Sequence, residues 1–217
     1  MNPSFVPAKV NLAFTLTDQA RFGWVQDREA GYQAALVLAE QAQSSDPDYG
    51  LVYSARSYAL TFTRRHEEAI AAAEKAVSLS PSDATVCHMS AMTHIYAGNF
   101  RLAREYEQQA VRLSPLELNV FRIDHARALF HLNIYGEAIG ISEAVLKVMP
   151  DWITAKTILL ASLWRAGKEK EANSVASGII EEHPQFSVSR WSRGFPYQNS
   201  EDLADLMSPL LQTGLPE

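Results

Sequence analysis

The chain has 217 residues, of which 47% are hydrophobic and 20% charged, so it is long and apolar enough to bury a core. Its formal net charge of -6 argues against nucleic acid or a membrane surface as the main partner. Cys87 is the single cysteine, which excludes an intrachain disulfide and suits a cytoplasmic protein, and its thiol is predicted to be buried and structural rather than reactive.

Prolines recur along the chain at nearly constant spacing. They stand at positions 47, 81, 115, 150 and 184, so the gaps are 34, 34, 35 and 34 residues. A proline ends a helix because it lacks an N–H, and a small side chain lets two paired helices approach closely. An alanine stands twelve residues before each proline, namely Ala35, Ala69, Ala103, Ala138 and Ala172.

Each period predicts two helices joined by a short turn, with Gly98 and Gly167 as C-caps of first helices. The predicted units cover residues 4–47, 48–81, 82–115, 116–150 and 151–184 of a repeat domain over residues 1–194. The predicted helices span residues 4–20, 27–44, 48–63, 66–79, 83–97, 100–113, 117–131, 135–148, 151–165 and 168–182.

Both ends of the chain depart from the period. The first unit is ten residues longer than the others, and the excess lies around ARFGWVQDREAGY, between its two helices. This insertion is predicted to be a loop packed on the helices or, alternatively, part of a binding face. Asn2-Pro3-Ser4-Phe5 resembles the close of a preceding repeat, so we expect either a longer protein or a partner that covers the first helix.

The C-terminal tail, residues 195–217, no longer follows the repeat. A short helix is predicted near residues 186–192, and Asn199 or Ser200 is expected to cap a helix that ends near Gln212. The leucines of this last helix have helical spacing. The tail is therefore predicted to cap the solenoid as a lid over the last repeat.

The 34-residue period, with its alanine and proline marks, resembles the tetratricopeptide repeat (TPR). That resemblance implies an all-α, right-handed superhelical solenoid of about five TPR helix pairs with a C-terminal capping helix. The tryptophan at the start of the TPR pattern is missing here, where Tyr53, Cys87, Arg122 and Lys156 stand.

A narrower resemblance depends on the tail and the insertion. Phe195-Pro196-Tyr197, Glu201-Asp202-Leu203 and the terminal Gly214-Leu215-Pro216-Glu217 are similar to the end of the TPR region of bacterial class III adenylate/guanylate cyclase-like signalling proteins. The ARFGW segment is similar too. The resemblance implies a regulatory or scaffolding role in signal transduction, with a catalytic domain N-terminal to the repeats. No cyclase catalytic residue can be assigned in this chain.

In TPR arrays the first helices line a concave surface, and its ligand-facing positions here carry aromatic and arginine side chains. Such residues suit a protein or peptide segment, because aromatic side chains anchor it and arginine binds a carboxylate through two hydrogen bonds. The alternative is that these side chains only pack between helices. The predicted groove residues are Tyr58, Phe62, His88, Met92, Tyr96, Arg127, His131, Trp164 and Arg165.

Sequence signatures of catalysis are not found. Phosphate-binding loops, dinucleotide fingerprints and nucleophile elbows do not occur, and the histidine pairs are six residues apart, whereas metal ligands on one helix face need three or four. Neither a cofactor nor a metal is predicted.

The leading hypothesis is a non-catalytic module that binds a protein or peptide segment, or its own N-terminal domain. One alternative is homodimerisation through the first helix and the tail. The other is an enzyme in which His88, Arg127 and His131 converge.

Overall fold

A computed structural model of the chain describes residues 5–114 and 118–217. Twelve α-helices and no strand lie within these residues, which confirms the all-α fold class. The helices are α1 (Val6–Arg21), α2 (Arg28–Ser45), α3 (Gly50–Phe62), α4 (His66–Leu79), α5 (Ala84–Tyr96), α6 (Phe100–Leu113), α7 (Leu118–His131), α8 (Tyr135–Leu146), α9 (Ile153–Arg165), α10 (Glu169–Glu182), α11 (Val188–Ser192) and α12 (Ser200–Gln212).

The first ten helices form five consecutive pairs. Within each pair the two helices pack against each other. In the first four pairs, the second helix also packs on the first helix of the next pair. The first helices are in direct contact in chain order, α1 with α3, α3 with α5, α5 with α7 and α7 with α9. They form one continuous surface, which we call the concave wall.

The periodic alanines lie on the buried faces of the second helices. All five, from Ala35 to Ala172, are 0% exposed. The facing positions on the first helices are equally buried, with Ser57, Ala91 and Ala126 in three units and the larger Leu160 in the last. These positions combine complete burial with small side chains in all but one case, which is consistent with closely packed helix pairs.

The turns within the later pairs repeat one backbone conformation. Arg64, Gly98, Asn133 and Gly167 all have positive φ angles, between 60° and 82°, and follow one another at spacings of 34, 35 and 34 residues. This left-handed conformation ends a helix and suits glycine best. Gly98 and Gly167 end their helices in this conformation, but each lies one residue beyond the C-cap, which is Ala97 or Ala166.

Two glycines provide a matched test of helix packing. A Cβ added to Gly50, at the start of α3, would lie 2.8 Å from the Ser80 Cβ and 3.1 Å from the Ala76 carbonyl oxygen. Gly140, in α8, has nothing within 4 Å of the same position. We expect Gly50→Ala to lower the free energy of unfolding by about 1–3 kcal/mol through overpacking. In urea denaturation Gly140→Ala should instead raise it by about 0.5–1 kcal/mol, and equal effects would contradict the close approach.

The insertion in the first unit is mostly helical rather than a long loop. The segment between α1 and α2 is only residues 22–27, because α1 and α2 extend to 16 and 18 residues and take up most of the excess. Phe22 and Trp24 are exposed on this loop, with ring centroids 5.2 Å apart. The predicted helices 4–20 and 27–44 also left six residues between them, so the connection has the predicted length, but its aromatic side chains are exposed.

The predicted unit boundaries follow from the sequence alone and stay a prediction. Pro115, which marks one of them, and the Asn2-Pro3-Ser4 segment lie outside the described residues. Across the described ranges, none of the helices combines the length and the apolar content that a membrane span requires.

The tail returns along the concave wall. As predicted, α12 packs on the last repeat, through α9, but it also contacts α7 and α11. Arg165 of α9 pairs with Asp205 of α12. The capping helix therefore covers part of the concave wall rather than the outer face of α10.

Candidate functional site

A cavity of about 210 Å³ opens on the concave wall, and we call it the concave cavity. All five first helices contribute to its lining, from the last turn of α1 to the N-cap and first turn of α9. The lining residues are Asp18, Arg21, Phe22, Tyr58, His88, Met89, Met92, Val120, Ile123, Asp124, Arg127, Trp152 and Thr154.

Four of the nine predicted groove residues line this cavity, namely Tyr58, His88, Met92 and Arg127. The structure brings them together from three helices, α3, α5 and α7, as the helical register of the repeats predicts. All four are buried, so they form the floor of the cavity rather than a freely exposed surface.

The other five predicted groove residues have packing partners. Phe62 and Tyr96 are buried and contact each other edge to face at 5.7 Å. His131 contacts the tail, Trp164 is partly buried in an apolar cluster with Ile139 and Leu159, and Arg165 pairs with α12 as described above. For these residues the geometry favours the packing alternative.

One hydrogen-bonded chain joins α1 to α3 at the edge of the cavity. Nη1 of Arg21 donates to the hydroxyl of Tyr58 at 2.8 Å, and that hydroxyl donates to Asp18. Burial raises the pKa of Tyr58, which stays protonated as a donor. Burial alone would lower the pKa of Arg21, but Tyr58, Tyr96 and Asp124 together raise it, so Arg21 keeps its charge.

A second polar cluster lies deeper and joins three helices. His88 Nδ1 is 2.9 Å from the Glu107 carboxylate, and His88 Nε2 is 3.9 Å from Asp124. Nη1 of Arg127 lies 3.0 Å from the other Asp124 oxygen and donates to the Tyr96 hydroxyl at 2.9 Å. These ionisable side chains are all buried, so each depends on its partner to stay in the core.

The protonation of this cluster is set by burial and by its internal pairing. Burial raises the pKa of Glu107 to about 7, although His88 opposes that shift. For His88, burial lowers the pKa, but Glu107 and Asp124 more than offset it and the pKa is raised. His88 therefore lies between two carboxylates, both of which favour its protonated form.

Glu107 and Asp124 were not among the predicted site residues. A signal for Glu107 exists in the sequence, because it lies four residues after Ala103 and three before Ala110, two completely buried positions on the same face of α6. Asp124 precedes Arg127 by three residues, the spacing of a paired acid and base on one helix face. Arg21 and Asp18 were missed because only the tertiary fold brings α1 to the cavity.

His88, Glu107 and Asp124 form the one group in the described chain whose ligand atoms could approach a metal, all within 4.8 Å of one another. Each ring nitrogen of His88 faces a different carboxylate, however. An ion held by Nε2 and Asp124 would leave Glu107 as the hydrogen-bond partner of the other nitrogen. The arrangement favours an acid–base cluster over a shared metal site.

The residues predicted for an enzyme site do not all meet. His88 and Arg127 both face Asp124, whereas His131 is not part of the cavity lining. Cys87 is completely buried, its Sγ donates to the Pro81 carbonyl at 3.6 Å, and burial raises its pKa to about 11. Such a thiol is unreactive, in agreement with the structural role predicted for it.

The tail fills the concave wall beside the cavity with an aromatic pair. The Phe195 ring stacks on Tyr96 with centroids 6.3 Å apart, and the hydroxyl of Tyr197 lies 2.8 Å from His131 Nε2. The backbone N–H of Gln198 donates to the Tyr96 carbonyl at 2.8 Å. The Phe195-Pro196-Tyr197 segment is thus held by both side-chain and main-chain contacts.

The burial of His131 makes the stability of the protein depend on pH. Burial, with a contribution from Arg127, lowers the pKa of His131 from 6.5 to about 3. Neutral His131 therefore contributes its full stabilisation above pH 6.5, its pKa in the unfolded chain. That contribution is lost as the pH falls from 6.5 towards about 3, its pKa in the folded chain. His94, with a pKa lowered to about 4, acts in the same direction, whereas the raised pKa values of His88 and Glu107 act in the opposite one.

His131→Gln removes one of these titrations and so isolates its effect. The quantity compared is the difference in the free energy of unfolding, wild type minus variant. We expect this difference to become smaller as the pH is lowered from about 7 to about 4. Urea denaturation at several pH values measures this difference. A difference that is constant with pH would show that His131 is not held neutral in the fold.

Comparison with known proteins identifies the class of fold. Residues 52–83 match the sequence model of the tetratricopeptide repeat. Comparison with curated proteins gave no match. This match and the five helix pairs together define the fold as that of a tetratricopeptide-repeat array.

Several solved structures align over most of the chain. PilW, a type IV pilus biogenesis factor, has a TM-score of 0.68 at 15% identity, covering 92% of this chain and 92% of that one. TTC0263, a thermophilic TPR protein of Thermus thermophilus, has a TM-score of 0.64 at 15% identity, covering 95% and 99%. YrrB, a TPR protein with an unusual peptide-binding site, has a TM-score of 0.61 at 18% identity, covering 85% and 89%. At these identities the likeness establishes the fold.

Proposed function

We propose that this chain is a non-catalytic protein-interaction module whose concave wall binds a segment of a partner protein. The concave cavity carries this proposal, because five helices contribute to one indentation that the tail leaves open. A rigid solenoid presents such a surface already formed, so little conformational entropy is lost on binding. YrrB, which shares this fold, is a TPR protein with a peptide-binding site.

The rim of the cavity supports a protein ligand. Phe22 and Val120 line the cavity and are 53% and 48% exposed, and Trp24 stacks on Phe22. Exposed apolar and aromatic side chains around a concavity are typical of sites that bind another protein. This supports the binding role that was one of two alternatives for the insertion.

Two exposed valines allow a matched test of this proposal. Val120 lies on the cavity rim, whereas Val37 lies on α2, which contributes nothing to the cavity, and the two are similarly exposed at 48% and 51%. Peptides are selected from a random dodecapeptide library against the wild type. We expect Val120→Arg to weaken their binding by about tenfold or more, because it places a long charged side chain over an apolar contact.

Val37→Arg should leave the affinity of those peptides unchanged. Isothermal titration calorimetry measures both variants. Failure of the library to give any binder that is sensitive to Val120→Arg would contradict the proposed docking surface.

The setting of this module is part of the proposal. We propose that it serves as the regulatory or scaffolding region of a bacterial, cytoplasmic, cyclase-type signalling protein and contacts the catalytic domain of that protein. Support comes from the sequence resemblance of the tail and the insertion, and from the single buried cysteine, which suits a reducing compartment. An upstream reading frame without a cyclase domain would contradict it.

Self-association is a second candidate function, favoured by exposed apolar residues on the first helix pair. Three apolar side chains are about half exposed there, namely Phe5 just before α1, Leu12 on α1 and Val37 on α2. A second copy covering this end would bury them. Light scattering that shows a monomer at high protein concentration would exclude this alternative.

A further inference from the structure

The floor of the concave cavity carries hydrogen-bond donors that have no partner. Arg127 is 0% exposed, and although its Nη1 is paired, its Nε and Nη2 have no hydrogen-bond partner within the described residues. The same holds for His88 Nε2, whose nearest acidic group, Asp124, is 3.9 Å away. Buried donors left unpaired are unfavourable, so a ligand with acceptor atoms would relieve this cost.

A second guanidinium lies at the edge of the same cavity. Arg21 is held there by Tyr58 and lies over the rings of Phe22 and Phe62 at 5.0 and 5.2 Å. Burial lowers the pKa of Arg127, but Tyr96, Asp124 and Tyr197 raise it overall, while the like charge of Arg21 acts against them. An anion bound between them would be attracted by both.

The acidic groups of the cavity are already engaged. Asp124 pairs with Arg127 through one oxygen, and Asp18 accepts the hydroxyl of Tyr58. Nε and Nη2 of Arg127, which lack a partner, are donors at any pH because a guanidinium in a protein stays protonated. This excess of donors favours an acidic ligand over a basic one.

We infer that the concave cavity binds the carboxylate of an aspartate or glutamate side chain, presented by an extended partner segment with apolar residues on either side. The inference rests on the proposed function and names the chemistry of its ligand. The cavity, with a volume of about 210 Å³, has room for a carboxylate side chain. Phe22, Val120 and Trp152 provide the apolar contacts around it.

The experiment uses the dodecapeptides selected for the docking test and measures their affinity for the whole chain by calorimetry. The selected peptides should share an aspartate or glutamate at a fixed position. Its replacement by asparagine or glutamine should weaken binding by about tenfold or more, as expected for loss of a charge-assisted hydrogen bond. Arg21→Gln should weaken the acidic peptide but not its amide counterpart.

A variant at the cavity mouth avoids disturbing the buried cluster. Thr154 lines the cavity and is partly exposed, so a longer side chain there can reach into it. Thr154→Glu should weaken the acidic peptides by about tenfold, because it brings a competing carboxylate to the same donors. Thr154→Gln, which has nearly the same size without the charge, should have a much smaller effect.

The outcomes separate this inference from the proposed function. Peptides that are sensitive to Val120→Arg, but bind equally well after the acid-to-amide change, would overturn the carboxylate site and leave the docking surface intact. Equal losses in Thr154→Glu and Thr154→Gln would also overturn it. A library that gives no such peptides would overturn the proposed function and this inference together.

Discussion

Asp124→Asn is expected to lower the free energy of unfolding by about 3–5 kcal/mol, the cost of breaking a buried ion pair by removing one charge. The change keeps the shape of the side chain but leaves the guanidinium of Arg127 without a counter-ion at 3.0 Å. Arg127 is completely buried, so water cannot replace the missing charge. Urea denaturation followed by circular dichroism measures the loss.

Removing both charges provides the control. Asp124→Leu combined with Arg127→Met replaces the pair by apolar side chains, and it should cost less than Asp124→Asn alone. The exposed Arg65–Glu68 pair offers a second control, because Glu68→Gln should change the stability little. An Asp124→Asn variant as stable as the Glu68→Gln variant would contradict the proposed pairing in the core.

Tyr197→Ala is expected to have a similarly large effect, lowering the free energy of unfolding by about 3–5 kcal/mol. Tyr197 is 2% exposed, and its ring packs edge to face against Tyr96 at 5.2 Å. Its carbonyl also accepts a hydrogen bond from Arg64 at 3.1 Å. Loss of the ring leaves a cavity between the tail and the concave wall, so the tail should become sensitive to limited proteolysis.

Two matched variants separate packing from hydrogen bonding. Tyr197→Phe removes only the hydroxyl that contacts His131, and it should cost about 0.5–1.5 kcal/mol. Trp24→Ala removes a larger ring from an exposed position and should have little effect. If Tyr197→Ala behaved like Trp24→Ala, the tail would not be held on the concave wall in solution.

The repeat architecture could be predicted from the sequence because it follows from a local requirement. A pair of helices can cross closely only where the side chains are small, so Ala69, Ala103 and their equivalents record each crossing at a fixed distance from the following proline. The same period places Tyr58, His88, Met92 and Arg127 on one wall. Their convergence on one cavity therefore needed no tertiary information beyond the repeat.

The position of the tail could not be predicted in the same way. Its leucines indicate one apolar face but not which surface covers it, and the sequence favoured the end of the solenoid. The fold places Tyr197 against Tyr96 and His131, which are distant from it along the chain. These three side chains meet through non-local packing, so Tyr96 and His131 were assigned to a partner rather than to the tail.

The methionines provide the most direct test of the concave wall as a docking surface. Met89 and Met92 line the concave cavity, whereas Met149 lies exposed in the connection between α8 and α9. The protein is labelled with ¹³C at the methionine methyl groups and titrated with the dodecapeptides selected from the library. We expect saturable shifts of the Met89 and Met92 resonances with Met149 unchanged. Shifts of Met149 without any at Met89 and Met92 would place the peptide elsewhere and contradict the proposed function.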